Sequence, residues 1–268
     1  MKHDNNLKNL KKILVKNIAI IISDKKINKI IELILKNDKK IKFNSKNITI
    51  KQYDHKSFLI VTKKFITKVF FDYHHYSSEL FPILKLNRKN FPHVIKLIDY
   101  DEDNHFMIIE KVNKIYDCDK INKKYANKRF IKILIKVVIK SIYSLFIYNS
   151  QINRKFSYQA VGLDKNGIIK ISGWDDSQYL DIENHYIAKE ELYKSLQTFI
   201  DELIMLLTLS KEEFLRKQVL LFFKDFNKTL TDKRIVERPT ISGNYKKYMF
   251  RAFKFLNFKE IVEFINQW

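Results

Sequence analysis

Few side chains in this sequence are spaced in a way that could support chemistry. His74 and His75, close to Asp72 and Glu79, could suggest a metal site. Adjacent side chains point in different directions on a helix or a strand, so surface histidines near a helix start are the favoured interpretation. Cys118 has no nearby histidine base, which favours an ordinary thiol. No G-x-S-x-G nucleophile motif occurs.

Glycine is scarce, and its placement excludes common phosphate-binding loops. The four glycines are Gly162, Gly167, Gly173 and Gly243, and the first 161 residues contain none. Phosphate loops need glycine so that the backbone can approach oxygen atoms closely. The first half of the chain therefore has no P-loop and no dinucleotide-binding G-x-G-x-x-G, and the later glycines form neither motif.

Length and composition indicate a folded protein. The 268 residues can form one large domain or two lobes, and 46% hydrophobic with 14% aromatic residues argues against disorder. A single cysteine excludes an intrachain disulfide and a cysteine-based zinc cluster. Uncharged stretches are shorter than the roughly 20 apolar residues that a membrane span needs. The polar, lysine-rich start predicts no secretory signal, so we expect an intracellular, cytoplasmic protein.

The charge balance is strongly basic and has two explanations. Lysine and arginine number 51 against 30 aspartates and glutamates, a net charge of +21. Such a field attracts nucleic acid, anionic membrane or acidic proteins. The abundance of Lys, Asn and Ile is also typical of an AT-rich genome, and the excess is spread along the chain. A basic surface for nucleic acid or anionic membrane therefore stays open as an alternative.

Hydrophobic periodicity predicts the elements that must position any site. The predicted elements are helices at 7–22 and 25–37, three strands within 41–71, a helix at 75–88, strands at 94–100 and 105–112, a helix at 124–148, a hairpin at 160–172, and helices at 190–208, 211–224 and 245–265. This order predicts an α+β protein.

The predicted elements fall into three regions. Residues 1–40 form an N-terminal helical extension. Residues 41–112 form a small β-rich lobe with one inserted helix, and residues 113–268 form a larger helical lobe.

Several segments, in this order, resemble the protein-kinase fold. "FITKVFF" resembles the strand that carries the phosphate-pairing lysine, here Lys68, and "SSELFPILKL" resembles the helix with its glutamate partner, here Glu79. "NFPHVIKLIDYDEDNHFMIIEKV" resembles the next two strands and the hinge. The resemblance places the gatekeeper at Ile109 and the hinge at Glu110 to Val112.

The same resemblance implies that the catalytic positions are degenerate. The H-R-D-L-K-P-E-N run falls on "NRKFSYQA", with Asn153 at the histidine, Arg154 at the arginine, Lys155 at the catalytic aspartate and Ala160 at the magnesium asparagine. The D-F-G segment falls on "GWD", with Gly173 at the metal-binding aspartate.

A small shift in alignment does not recover the missing carboxylate. No Asp or Glu lies between Lys120 and Leu163. Asp175 and Asp176 follow the expected metal position and could rescue metal binding, although we favour a role in capping the local turn. Even a rescued metal site would have no general base.

The resemblance therefore implies a pseudokinase: a binding, decoy or regulatory protein for an active kinase or its substrate, without phosphotransfer. We expect neither magnesium nor ATP to bind. Lys68, Glu79, Glu110 and Val112 would line a vestigial nucleotide cleft. The alternative within this fold is a divergent active kinase of proteins or small molecules that uses Lys68 and Asp175.

The source also bears on the expected compartment. Composition suits a large DNA virus of the poxvirus kind, and equally an AT-rich bacterium or protist parasite. A viral protein of this class would act in the host cytoplasm or nucleus.

Overall fold

The computed structural model describes residues 2–17, 22–52, 55–117, 120–149, 151–153, 160–174, 177–179 and 185–232. Within these residues the fold is mixed α+β, with six helices and a five-stranded antiparallel sheet. The chain divides into two compact units. The first comprises Met1–Arg88 and Ile95–Val112, and the second comprises Lys89–Val94 and Asn113–Trp268.

The five-stranded sheet lies in the first unit. Its strands are β1 (Thr49–Gln52), β2 (Ser57–Val61), β3 (Phe65–Phe70), β4 (Leu97–Asp101) and β5 (Phe106–Glu110). They are ordered β1-β2-β3-β5-β4, so β3 and β5 are central and β1 is an edge. β-Branched and aromatic side chains dominate these segments and suit a sheet whose inner positions are buried.

Two N-terminal helices pack against this sheet. They are α1 (Lys2–Asn17) and α2 (Asp24–Asn37). Residues Ile27, Ile30, Ile31 and Ile34 recur at helical spacing and are all buried. They form one core cluster with α1 and with the strands, including Leu10, Leu14, Phe58, Ile60, Phe65, Val69 and Ile108. The N-terminal helices are therefore integral to the core of the first unit.

A third helix, α3 (Tyr73–Arg88), connects β3 to β4. Asp72 caps its first turn, because the Asp72 carboxylate accepts the backbone N–H of His75 at 2.9 Å. The other carboxylate oxygen of Asp72 lies 2.6 Å from Nδ1 of His75. Burial favours a higher pKa for Asp72, but the two hydrogen bonds from His75 outweigh it and lower the pKa.

Long helices dominate the second unit. They are α4 (Lys128–Asn149), α5 (His185–Leu209) and α6 (Glu213–Asp232). Their buried residues repeat every three to four positions, including Ile131, Leu134, Ile135, Val138, Leu196, Phe199, Ile200, Leu203, Leu215, Val219 and Phe222. The short strands are β6 (Asn113–Lys114), β7 (Tyr116–Asp117), β8 (Lys120–Ile121), β9 (Gln151–Asn153), β10 (Val161–Leu163), β11 (Ile169–Ile171) and β12 (Ser177–Tyr179).

The predicted hairpin is present as β10 and β11. Its turn is held by Asp164, whose Oδ1 accepts the backbone N–H groups of Asn166 at 2.8 Å and Ile168 at 2.9 Å. Gly167 has φ of +78°, a left-handed conformation that favours glycine. The turn chemistry read from the sequence is therefore observed in the structure.

Several boundaries differ from those predicted, including the start of α1 at Lys2 instead of residue 7 and the end of α6 at Asp232 instead of residue 224. Two of the differences have a local physical cause. The first strand begins at Thr49 instead of near residue 41, because Asn44 forms a turn in which its side chain accepts the N–H groups of Lys46 and Asn47. Helix α4 begins at Lys128 instead of near residue 124. Asn127 caps this start, because its side-chain oxygen accepts the backbone N–H of Phe130 at 2.9 Å. The predicted helix at 245–265 lies outside the described residues.

Candidate functional site

The strongest candidate group in the first unit is an ion pair between β3 and α3. Nζ of Lys68 lies 2.5 Å from Oε2 of Glu79. The Glu79 side chain is 1% exposed and that of Lys68 is 16% exposed. A buried carboxylate needs a cation and hydrogen bonds to offset its lost hydration. The two residues singled out in the sequence are thus brought together by the fold.

The local geometry explains how a separation of eleven residues suffices. β3 ends at Phe70 and α3 begins at Tyr73, so only two residues connect them. Glu79 lies in the second turn of α3 and faces the sheet. Nζ of Lys68 also lies 5.0 Å from the ring centroid of Phe70, within the range of a cation–π contact.

The predicted hinge residues follow the central strand β5. Glu110 ends β5, and its Oε1 accepts the backbone N–H of Lys96 at 2.7 Å, while its own N–H donates to the Lys96 carbonyl at 2.9 Å. Ile109 is buried and pairs with Ile66 of β3. Val112 is half-buried at the end of the first unit. Glu110 thus forms hydrogen bonds with the residue that directly precedes β4.

In the second unit, the two positions that the resemblance aligns with magnesium ligands lie at adjacent ends of the β10–β11 hairpin. The carbonyl of Ala160 accepts the backbone N–H of Ser172 at 2.8 Å and the Ser172 hydroxyl at 3.0 Å. Gly173 follows directly. Neither Ala160 nor Gly173 carries a side-chain oxygen, so these positions offer no side-chain ligand to a cation.

Trp174 follows Gly173 and is fully buried. Its Nε1–H donates to the carbonyl of Ile171 at 3.2 Å. A buried indole needs such a partner for its N–H. The segment that the resemblance aligns with D-F-G is therefore joined to the hairpin by a hydrogen bond of a buried aromatic side chain.

Asn153 is the other described residue that the resemblance implies to be a degenerate catalytic position. It ends β9, which pairs antiparallel with β12, and its backbone lies opposite that of Ser177. This pairing joins the start of the "NRKFSYQA" segment to the chain just after "GWDD". Arg154, Lys155 and Asp175 lie outside the described residues.

The metal interpretation of His74 and His75 gains no support. His75 is engaged by Asp72 in capping α3. Among the described residues, no group of three or more His, Cys, Asp or Glu side chains is arranged to hold a metal ion. In that same part of the chain, no helix is both long and apolar enough to cross a membrane.

The chain matches no protein-family model, and a search of curated proteins found no match to it.

The sequence did not predict the two hydrogen bonds that Ser172 donates to the carbonyl of Ala160 at the open end of the β10–β11 hairpin. The only signal was a hydroxyl residue directly before "GWD".

Proposed function

We propose that this chain has a kinase-like fold without phosphotransfer activity and acts by binding an active kinase or a kinase substrate. The observation that carries the proposal is the buried Lys68–Glu79 pair between β3 and the helix that follows it. In active protein kinases, a strand lysine paired to a helix glutamate positions the phosphates of ATP. Here that pair occurs alongside catalytic positions that lack the reacting groups.

The order of elements supports the kinase-like part of the proposal. Three antiparallel strands, an inserted helix and two further strands precede a helical unit. The hairpin β10–β11 and the β9–β12 pair flank the two segments that resemble the catalytic loop and D-F-G. This chain order is compatible with the resemblance on which the proposal rests.

The chemistry of the side chains supports the loss of catalysis. Phosphoryl transfer needs a carboxylate near the substrate hydroxyl and an asparagine and an aspartate on magnesium. The corresponding residues are Lys155, Ala160 and Gly173. A lysine ammonium cannot accept a proton from a substrate hydroxyl, and alanine and glycine have no side-chain ligand atom, so the three functions are lost together. What remains of such a fold is its surface, which is why we infer a binding role.

The proposal is tested first by nucleotide binding. The melting temperature of the full chain is measured with millimolar ATP, with and without magnesium, since a ligand that binds only the folded state raises it. We expect no magnesium-dependent shift and no transfer of labelled phosphate to generic protein substrates. The matched variants are Lys68→Met and, at an exposed site in the same unit, Lys63→Met.

A gain-of-function variant makes the test sharper. Ala160→Asn combined with Gly173→Asp restores the two ligand types at the inferred magnesium positions. Gly173 is not among the positive-φ residues, so an aspartate there meets no left-handed strain. We expect this variant, and not the wild type, to show a magnesium-dependent shift with ATP.

Two results would overturn the proposal. Magnesium-dependent ATP turnover by the wild type that is lost in Lys68→Met and kept in Lys63→Met would instead support a divergent active kinase. Binding of nucleic acid or anionic vesicles that falls steeply with salt, without any protein partner, would support a basic binding module.

A further inference from the structure

Exposed hydrophobic side chains are concentrated where α5 meets α6 in the second unit. Met205 and Leu209 of α5 are 50% and 48% exposed, and Phe214 of α6 is 68% exposed. Neighbouring residues on the same two helices, such as Leu206 and Leu215, are buried and supply the core. Grouped exposed apolar side chains mark interaction sites, whereas single ones are ordinary on protein surfaces.

These side chains form one surface together with an aspartate. Asp201, Met205 and Leu209 follow one another at intervals of four residues along α5, so they project from the same side of that helix. All three residues are exposed. Phe214 lies in the first turn of α6, five residues after Leu209. We call these four side chains the α5–α6 face.

The turn between the two helices is fixed by hydrogen bonds. The hydroxyl of Ser210 donates to the carbonyl of Leu206 at 2.7 Å and accepts the backbone N–H of Ile121, also at 2.7 Å. The turn therefore holds Leu209 and Phe214 in a set arrangement. A surface that is already ordered loses less conformational entropy when a partner binds to it.

The α5–α6 face is acidic although the chain is strongly basic. The chain has 51 lysines and arginines in 268 residues, but between Ser195 and Ser210 it has two carboxylates and no cation. Asp201 forms no ion pair within the described part of the chain. Neighbouring protein atoms partly desolvate its carboxyl and raise its pKa, although the residue is exposed. A cation supplied by a partner would stabilise the ionised form of this carboxyl.

We propose that the α5–α6 face binds a basic amphipathic helix of a partner protein. The apolar row of that helix covers Met205, Leu209 and Phe214, and one of its lysines or arginines pairs with Asp201. The spacings match, because residues four apart advance by about 6 Å along any α-helix. An amphipathic helix that lays its apolar side on a hydrophobic surface is a common mode of peptide recognition.

Other occupants fit the α5–α6 face less well. The phosphates of nucleic acid or of an anionic membrane would meet the Asp201 carboxylate and no cation on this row of α5. A symmetric pair of two copies would bring two Asp201 carboxylates, and two chains of net charge +21, close together. The inference does not depend on the loss of phosphotransfer, since no residue of this face is among the aligned catalytic positions.

The test is fluorescence anisotropy of the full chain with the labelled peptide "AKLAKKLAAKLAKKLA", which is basic and amphipathic as a helix. The net charge of +21 repels such a peptide from the protein as a whole, so binding reports a local acidic and apolar site. Two control peptides replace every leucine by serine or every lysine by glutamate. We expect neither control peptide to bind at the α5–α6 face.

Variants of the protein locate the binding. Met205→Gln/Leu209→Gln removes the apolar row and keeps good helix formers. We expect an affinity loss of about ten- to hundredfold, because the exposed half of two apolar side chains no longer becomes buried. Asp201→Asn should lose about three- to fivefold, as for an exposed ion pair. The matched controls Val15→Gln and Asp103→Asn change exposed residues of the first unit and should bind like the wild type.

Each other outcome counts against the proposal. Binding that survives Met205→Gln/Leu209→Gln would show that the α5–α6 face is not used. Equal binding of either control peptide would show that charge or hydrophobicity alone is recognised. Absence of binding to the wild type would refute the proposal. If Met205→Gln/Leu209→Gln then also melted at a lower temperature than Val15→Gln, the face would be assigned to contacts within the chain or between two copies, which sedimentation velocity separates. None of these readouts involves ATP, so failure here is distinguishable from failure of the proposed function.

Discussion

Replacing Lys68 by methionine tests whether the Lys68–Glu79 pair stabilises the first unit. The change keeps most of the aliphatic stem and removes the ammonium that lies 2.5 Å from Glu79. Removal of one partner from a buried ion pair costs about 3–5 kcal/mol. The 16% exposure of Lys68 lets water approach, so we take the lower end, about 3 kcal/mol. That cost corresponds to roughly a hundredfold change in the unfolding equilibrium.

The assay must report on the first unit alone. Both tryptophans, Trp174 and Trp268, belong to the second unit, so intrinsic fluorescence would follow the wrong part of the chain. Hydrogen exchange measured on peptides from β3 and α3 reports local stability directly. We expect a loss of protection of about a hundredfold in Lys68→Met, and little change in the exposed control Lys63→Met.

A second variant tests whether the loss of protection comes from the unpaired, buried Glu79 carboxylate. In Lys68→Met/Glu79→Leu both charges are replaced by apolar groups, a change that is often neutral or stabilising for buried pairs. We expect protection to return most of the way to the wild-type value. The reasoning is refuted if Lys68→Met leaves exchange unchanged, or if the double variant is as unprotected as the single one.

Two further predictions concern the hairpin and its neighbour in the second unit. Gly167→Ala should lower the free energy of unfolding by about 1 kcal/mol, because a side chain at φ +78° is strained even though its Cβ would meet no atom within 4 Å. Denaturation followed by tryptophan fluorescence measures this, with the exposed Lys165→Ala as control, and equal stability of the two variants would contradict it. Burial, with Lys140 and Lys170 nearby, lowers the pKa of His93 despite its hydrogen bond to the Ile169 carbonyl. Stability linked to His93 is therefore present above the ordinary histidine pKa, about 6.5, and is lost as the pH falls below it. His93→Gln should flatten this pH dependence in denaturant titrations, whereas the exposed His55→Gln should not, and an unchanged slope in His93→Gln would refute the assignment.

The helices of this fold could be predicted because their apolar residues repeat over several turns. The spacing of Ile27, Ile30, Ile31 and Ile34 is enough to place α2 and the face it buries. Strands of two or three residues, such as β6 and β9, carry no period to detect. The start of β1 was misplaced for a related reason: Ile41 and Phe43 favour a strand, but Asn44 competes for the backbone hydrogen bonds.

Some features of the candidate site follow from the residue types alone, and others depend on contacts between elements. Ala160 and Gly173 could be identified as poor metal ligands from their residue types alone. The burial of the Glu79 side chain, which is 1% exposed, could not be predicted from the residue type, because it depends on how α3 packs against β3. The sequence offered a lysine and a glutamate eleven residues apart, and only the two-residue connection from β3 to α3 makes them partners.

Under the proposed function, the Lys68–Glu79 ion pair and the positions that the resemblance aligns with catalytic residues impose different physical demands. Under the proposed function, Ala160 and Gly173 stand in place of metal ligands, and at these half-buried positions such a change costs the fold little. Changing Lys68 or Glu79 singly leaves a charge in a buried site, at about 3 kcal/mol, a large part of the stability of a typical domain. A chain that no longer transfers phosphate would therefore lose its ligand atoms readily and keep this pair for stability. On this argument, Lys68 by itself does not indicate nucleotide binding, and the melting temperature of the wild type with and without ATP tests that directly.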